Sequence, residues 1–341
     1  MPGQLQQERP FLWLCISAIC TKSVEQQAAL GLRTREILAR QLLVEAERST
    51  DLLLGLLTLV SWGRFFDRGK PEFSVYLSLA SSMISDLGID RSYGEDPAAS
   101  ISCFSQQGHR RRLQARLKPT NEHRRALLAC FVMNSFASSL MKFDSLRWRP
   151  YIEGALQNLS DNPECPGDQV LIAMARIAKV SQDASGAINA RPDDDDAVGV
   201  PILHVKLLRS SLEYVRSQFS QELLQNKVIL TYLYSTEALI NGIALVQRGP
   251  HSLYNRTSDS RRLEILHQCL QSAKSTVETY LSFAPDVYPG MNIIFMMFFR
   301  HGTQLLYKLL ILDDPEWDQA WAREEVDVRS AKVILESFYK A

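Results

Sequence analysis

The six cysteines are the residues best suited to hold a metal: Cys15, Cys20, Cys103, Cys130, Cys165 and Cys269. Structural zinc needs closely spaced thiolates or imidazoles, commonly as C-x-x-C pairs. No such pair occurs, and Cys15 and Cys20 lie inside an apolar run. No two of the six histidines stand four residues apart, the spacing at which one helix face grips a metal. The sequence therefore predicts no metal site and no cofactor.

An acidic run at residues 193–196 is the second candidate for metal chemistry. In all-helical prenyl-chain cyclases, carboxylates at i, i+1 and i+4 of a helix hold magnesium against a diphosphate. Here position 197 is an alanine, and Pro192 and Gly199 flank the run. A solvated acidic loop is therefore the favoured interpretation.

Motifs for nucleophilic or nucleotide chemistry are missing as well. The chain contains no G-x-S-x-G, no G-x-G-x-x-G and no G-x-x-x-x-G-K-[ST]. We therefore predict no catalytic residues, no cofactor-binding residues and a protein that is not an enzyme. The alternative is an enzyme that reuses a helical scaffold around an apolar pocket, since a fold does not fix a function.

One basic cluster stands out in a polar connection at 90–120, and its members are Arg110, Arg111, Arg112, Arg116 and Lys118. Such a run fits a nuclear import signal or a patch for an acidic partner, although a solvated loop is the commoner explanation. Over the whole chain, 38 basic and 38 acidic residues cancel. Because phosphate binding draws on a surplus of lysine and arginine, this balance argues against a surface devoted to nucleic acid.

Composition and periodicity indicate an all-α fold. The chain has 341 residues, of which 46% are hydrophobic and 22% charged, as in ordinary globular proteins. Apolar residues recur with helical period, and no hairpin dipeptide lies between alternating β-branched runs. The most apolar run, residues 228–246, is interrupted by Glu237 and Asn241. We interpret it as a buried core helix and predict no membrane segment.

The predicted organisation is one large multi-helix domain without a sheet. Residues 1–9 form a tail, 10–190 a first helical part, 191–200 an acidic loop and 201–341 a C-terminal helical part. Residues 90–120 are expected to be a mobile loop, since glycine and proline punctuate them without periodicity. The predicted helices cover 25–47, 51–62, 71–88, 122–141, a short segment from Pro150, 168–187, 201–219, 222–247, 259–283, 291–312 and 324–340.

Several motifs together resemble a known family. Residues 9–14, RPFLWL, are followed by the segments at 51–91 and 121–183. The last of these opens with Glu122-His123-Arg124-Arg125, an E-x-R-R pattern, and contains Leu146-Arg147-Trp148, an L-R-W element. In this order they resemble the regulatory domain, or middle homology region, of fungal zinc-cluster transcription factors. The resemblance covers residues 10–185 and fades in the C-terminal half.

The resemblance implies a transcriptional regulator of the nucleus, with a cytoplasmic location as the alternative. Many family members control clustered genes of secondary metabolism. Their helical domain relays signals from protein partners and, in some members, from a small-molecule effector. The expected partners here are the transcription machinery or a full-length paralogue. A ligand-sensing protein of a biosynthetic pathway is the alternative to the regulator.

The resemblance also bears on DNA binding and on individual residues. Because this chain starts almost at the family domain and lacks the spaced cysteines, we expect a regulatory domain alone, a truncated gene model or a fragment, without sequence-specific DNA binding of its own. Arg124 and Arg125 are expected to make structural ion pairs. Arg147 is expected to pair with a carboxylate, and Trp148 to pack over the preceding helix beside Leu146.

Overall fold

The computed structural model describes residues 2–63, 72–90, 119–141, 146–189, 202–246 and 256–326. Every regular element in these ranges is helical and none is a strand, so the all-α prediction is confirmed. Contacts between Cα atoms group the chain into two compact units. The first unit comprises 1–134 and 146–175, and the second comprises 135–145 and 176–341.

The first unit contains six helices and the beginnings of two more. These are α1 (Pro2–Glu8), α2 (Pro10–Cys20), α3 (Val24–Ala39), α4 (Thr50–Trp62), α5 (Phe73–Asp86), α6 (Asn121–Met141), α7 (Pro150–Asp161) and α8 (Pro166–Asn189). A π turn, Arg40–Val44, extends α3. The ends of α6 and α8 belong to the second unit, from Ser135 and from Arg176.

Local chemistry explains where these helices begin. Pro10, Pro150 and Pro166 open α2, α7 and α8, since proline lacks the N–H that a first helical position leaves unbonded. Ser49 caps α4 by accepting a hydrogen bond from the Leu52 N–H at 3.2 Å. With its start set in this way, α4 buries most of its leucine-rich sequence and packs against α2 and α5.

The second unit is built around one central helix. Its elements are α9 (Ile202–Ser217), α10 (Gln221–Gln225), α11 (Lys227–Asn241), α12 (Arg256–Leu281), α13 (Ile293–Leu310) and α14 (Gln319–Glu325), with 3-10 turns at Gly242–Val246 and Tyr288–Gly290. Helix α11 contacts α9, α10, α12 and α13. Tyr232 of α11 meets the rings of Phe136 and Phe298 edge-on, with centroids 4.9 and 5.0 Å apart.

The stretch Lys227–Leu245 is long and apolar enough to cross a membrane. Of its most apolar window, 67% is buried inside the protein. This burial is what a core helix requires, because a membrane-spanning helix would present much of its surface to lipid.

Some predicted boundaries differ from the structure, and Pro10–Cys20, which was not among the predicted helices, forms α2. Residues 2–8 of the predicted tail form α1, whose sequence PGQLQQE has no apolar periodicity that would reveal a helix. The predicted helix 222–247 is divided into α10 and α11, because the Asn226 side chain caps α11 by accepting from the Val228 N–H at 2.9 Å. Helix α14 starts before the predicted 324–340, most of which lies outside the described residues.

The two predicted loops fall almost wholly outside the described residues. Only residues 90, 119 and 120 of the 90–120 connection are described, and none of 191–200. The basic cluster of Arg110, Arg111, Arg112, Arg116 and Lys118 therefore lies outside the described residues too.

Candidate functional site

The motif residues meet at two polar clusters around the start of α6. At the first cluster, Arg9 Nη2 lies 2.6 Å from Glu122 Oε2, so the residue before α2 is ion-paired to the start of α6. Asp51 of α4 accepts hydrogen bonds from the N–H groups of Phe11 and Leu12, both at 2.9 Å. Its carboxylate thereby caps a neighbouring helix and complements the positive end of that helix dipole. We call Arg9, Asp51, Glu122 and His123 the helix-start junction.

His123 completes this junction as a neutral ring. Its Nδ1 accepts from the Thr120 N–H at 3.3 Å, which leaves the proton on Nε2, 3.2 Å from Thr50 Oγ1. Burial lowers the pKa of His123 below its ordinary value; Glu122 opposes this effect, while Arg9 and Arg124 add to it. The neutral ring therefore links α6 to the start of α4.

We expect this arrangement to make folding stability depend on pH. Because the pKa of His123 is lower in the folded protein, the unfolded chain binds the proton more tightly. Stability should therefore fall as the pH drops below about 6.5, the ordinary histidine value. Urea unfolding at several pH values should show a shallower dependence for His123→Gln. Burial lowers the pKa of His301 to about 4, so His301 also reduces stability at low pH. The contribution of His123 is therefore the difference in pH dependence between wild type and His123→Gln.

The second cluster joins α6 to the start of α8. Arg125 binds both carboxylate oxygens of Asp168, with Nε 2.7 Å from Oδ1 and Nη2 2.9 Å from Oδ2. The same Nη2 lies 2.7 Å from Glu164 Oε2. Asp168 is 1% exposed and also accepts from the N–H groups of Glu164 and Cys165, at 2.8 and 3.2 Å. We call Arg125, Glu164 and Asp168 the Arg125 clamp.

The clamp holds Asp168 ionised. The Arg125 guanidinium is the main reason that the pKa of Asp168 lies well below its usual range, and the two backbone N–H groups add to this while burial opposes it. Asp168 stands in the first turn of α8 and accepts from the N–H groups just before that helix, as the acidic member of a capping box does. One buried carboxylate therefore both starts α8 and anchors α6 to it.

The L-R-W element lies beside the middle of α6. The Trp148 ring meets the buried Phe131 ring edge-on, with centroids 5.0 Å apart and planes at 74°. Trp148 and Leu146 are half-buried, and Arg147 is exposed. Arg124, by contrast, donates to the Asn121 side chain at 2.7 Å within α6 itself. The motif thus places one aromatic contact on α6 and leaves Arg147 at the surface.

Trp148→Ala should lower the free energy of unfolding by about 2 kcal/mol. The loss is smaller than the 3–5 kcal/mol of a fully buried ring, because Trp148 is only half-buried. Thermal or urea unfolding measures it, with the exposed Arg147→Ala as the control, expected within about 0.5 kcal/mol of wild type. Equal stabilities for the two variants would contradict the Phe131 contact.

The described cysteines do not form a reactive or metal-binding group. Cys15, Cys130 and Cys269 are buried, and burial raises the pKa of Cys130 to about 11 and of Cys269 to about 12. Cys20 and Cys165 are exposed and free. Within the described ranges, no three His, Cys, Asp or Glu side chains are placed to hold a metal ion.

Taken together, the motif residues position helices. At both clusters the charged groups already have partners: arginine pairs with carboxylate, and carboxylates bind backbone N–H groups. Sequence reasoning identified Arg124 and Arg125 but not their neighbours. The partners Asp51 and Asp168 each stand in the first turn of a helix, where acidic residues are common, and this is the one sequence signal that could have found them.

Comparison with known proteins agrees with the motifs. The chain is 30% identical over 336 residues, 96% of its length, to "Transcription factor opdL" of Penicillium oxalicum. It is 26% identical over 82% of its length to "Transcription factor himD" of Aspergillus japonicus, and 24% identical over 96% to a "Transcription factor" of Aspergillus terreus. It spans 58%, 46% and 49% of these relatives, so about half of their length.

No family model matches the chain. No solved structure matches it either. The three curated relatives match most of this chain, and all carry the same kind of name. The chain is therefore a relative of fungal proteins named transcription factors, as the motifs at residues 9–14, 122–125 and 146–148 predicted.

Proposed function

We propose that this chain acts in transcriptional regulation, as a helical control module that works through protein partners. The observation that carries the proposal is the similarity to "Transcription factor opdL" across 96% of the chain. Since the chain spans about half of such relatives, the activity of the whole relatives is extended to it only as part of this proposal. Their names also favour a role other than catalysis.

We propose further that the chain does not select a DNA sequence by itself. Reading base edges relies on arginine and lysine side chains that are free to enter a groove. In the described residues, Arg9, Arg125 and Arg262 are already ion-paired, Arg262 to the buried Asp314 at 2.5 Å. The formal net charge of zero points the same way. Tight binding of the purified chain to one promoter at physiological salt would contradict this proposal.

A protein partner suits the structure better than a small-molecule effector. The buried oxygens Ser235 Oγ, Thr236 Oγ1 and Asn241 Oδ1 have no hydrogen-bond partner within the described residues. At about 100° per residue they lie on three different sides of α11. A ligand needs polar groups that converge on one place, and these do not.

The regulatory role can be tested by tethering. The chain would be fused to an unrelated DNA-binding domain and directed to a reporter gene, with the DNA-binding domain alone as the control. A change in reporter transcription supports regulation through partners. An unchanged reporter, together with unchanged transcripts of the chromosomal neighbours after gene deletion, contradicts it.

The same deletion strain tests the proposed pathway and distinguishes a regulator from an enzyme. We propose that the targets are clustered genes of secondary metabolism, and their transcripts should change when the gene is deleted. If those transcripts stay constant while a precursor accumulates, the chain is a helical-scaffold enzyme of the pathway instead. Transcripts and metabolites therefore need to be measured in the same cultures.

We propose a nuclear location, with the basic cluster of Arg110, Arg111, Arg112, Arg116 and Lys118 as the import signal. A fluorescent fusion should accumulate in the nucleus, and alanine at all five positions should shift it to the cytoplasm. Replacing the exposed Lys206 of α9 and Arg261 of α12 is a control for charge loss elsewhere. Cytoplasmic fluorescence of the unchanged fusion would favour the alternative location.

A further inference from the structure

Helix α3 presents an exposed apolar stripe on the side away from its buried residues. Its buried residues are Gly31, Thr34 and Leu38, and it packs on α2. On the exposed side lie Ala28, Ala29, Leu32 and Ala39, followed by Leu43 and Val44 in the π turn. Leu32 is 45% exposed, Leu43 67% and Val44 80%. Apolar side chains in such a row commonly mark an interaction surface.

The end of this stripe is held in place by the π turn. The Glu45 N–H donates to the Arg40 carbonyl at 2.9 Å, and Ala46 adopts φ 54°, a left-handed conformation that is rare for residues other than glycine. Arg48 donates to the Leu42 carbonyl at 3.0 Å and to Asp86 Oδ2 at 2.6 Å. Leu43 and Val44 are therefore displayed by an ordered turn, which reduces the entropy cost of docking.

Four exposed charges along the stripe alternate in sign. In chain order they are Glu25, Arg33, Glu36 and Arg40. Within the described part of the chain, Arg40 pairs with the exposed Glu45 at 2.8 Å, and the other three have no ion pair. In the opposite chain direction this order becomes basic, acidic, basic, acidic. Two copies of α3 that lie antiparallel therefore place opposite charges against each other.

We propose that α3 docks antiparallel against α3 of a second copy of this chain. In this arrangement Glu25 faces Arg40 of the other copy, and Arg33 faces Glu36 of the other copy. The paired positions are offset by about two residues, or about 3 Å along the axis, which these long side chains span. A parallel arrangement would place each charge against itself. The charge pattern therefore selects the antiparallel, two-fold symmetric dimer.

The apolar residues fit the same arrangement. The symmetry axis passes between residues 33 and 34, so Leu32 lies near the centre of the interface. The alanines on either side allow the two helix backbones to approach closely. Leu43 and Val44 lie near the opposite end, against the Val24 region of the other copy. At about 100° per residue the four charges and the apolar residues share one face of α3, so ion pairs and apolar contacts lie side by side in the interface.

Charge reversal tests the dimer in the full chain. One variant carries Glu25→Arg with Glu36→Arg, and the other carries Arg33→Glu with Arg40→Glu. All four positions are exposed, so both variants should fold, as circular dichroism will check. Sedimentation at up to about 100 µM should show a dimer for wild type. The dissociation constant of the dimer should be at least about tenfold higher for each variant alone. An equimolar mixture of the two variants should restore the dimer as a heterodimer.

Three results would overturn the proposal. A wild-type chain that stays monomeric at the highest concentration leaves the α3 stripe to a different partner. A dimer that both variants retain uses another face of the molecule. Variants that stay monomeric when mixed show that the alternating charges do not pair across the interface.

Discussion

Arg125→Ala should lower the free energy of unfolding by about 3–5 kcal/mol, the largest single effect that we expect. The substitution removes both hydrogen bonds from the guanidinium to Asp168. Asp168 is only 1% exposed, so its carboxylate is then buried without a cation. Breaking a buried pair by deleting one partner costs this much because the remaining charge is stranded away from water. Urea unfolding monitored by circular dichroism measures the loss.

Two variants serve as controls for the Arg125 clamp. Arg125→Lys keeps the charge but cannot bind both oxygens of Asp168 at once, so its loss should be intermediate. Arg124→Ala removes an adjacent arginine that donates a hydrogen bond to Asn121 in its own helix, so the loss should be about 0.5 kcal/mol. If Arg124→Ala and Arg125→Ala destabilise equally, the clamp does not hold α6 to α8.

The clamp also predicts how stability responds to acid. The pKa of Asp168 is depressed in the folded protein, so its contribution is complete above the unfolded value of about 4 and is lost as the pH falls below it. In Arg125→Ala the main cause of that depression is gone. The difference in stability between wild type and variant should therefore shrink on going from pH 6 to pH 3, and a constant difference would contradict the assignment.

Gly55→Ala should cost about 3 kcal/mol, although alanine is the better helix former. Gly55 lies in α4 where α2 crosses it, and an added Cβ would be 2.6 Å from Phe11 Cε1, in contact with Phe11 Cδ1, and 3.2 Å from Cys15 Sγ. Phe11 is 4% exposed and Cys15 is fully buried, so neither has room to move aside. Overfilling such a core costs about 1–3 kcal/mol, occasionally more.

Gly154→Ala is the matched control. Gly154 lies inside α7, and an added Cβ there meets nothing within 4 Å. The same substitution should therefore stabilise the protein by about 0.5–1 kcal/mol, the difference in helix propensity. Thermal unfolding of the two variants should shift in opposite directions. A Gly55→Ala protein as stable as wild type would show that α2 and α4 do not approach as closely as the structure has them.

The identity of the helical segments was open to prediction because periodicity and capping are local. Apolar residues three and four apart predicted α4, α6 and α13, and Ser49, a favoured capping residue type, stands directly before α4. Helix α1 was missed because its single leucine makes no pattern. The break at Asn226 was missed because an apolar run can continue across a capped junction.

By itself, the sequence determined the all-α class, the relationship to fungal transcription factors and the importance of the motif at residues 122–125. It could not pair Arg125 with Asp168 or Arg9 with Glu122, residues 43 and 113 positions apart. Which charges meet depends on how helices cross, and crossing is decided by side-chain packing between distant segments, such as Phe11 against Gly55. Tertiary structure alone therefore decided that the motif residues stabilise helix starts, and that α3 keeps an apolar side exposed.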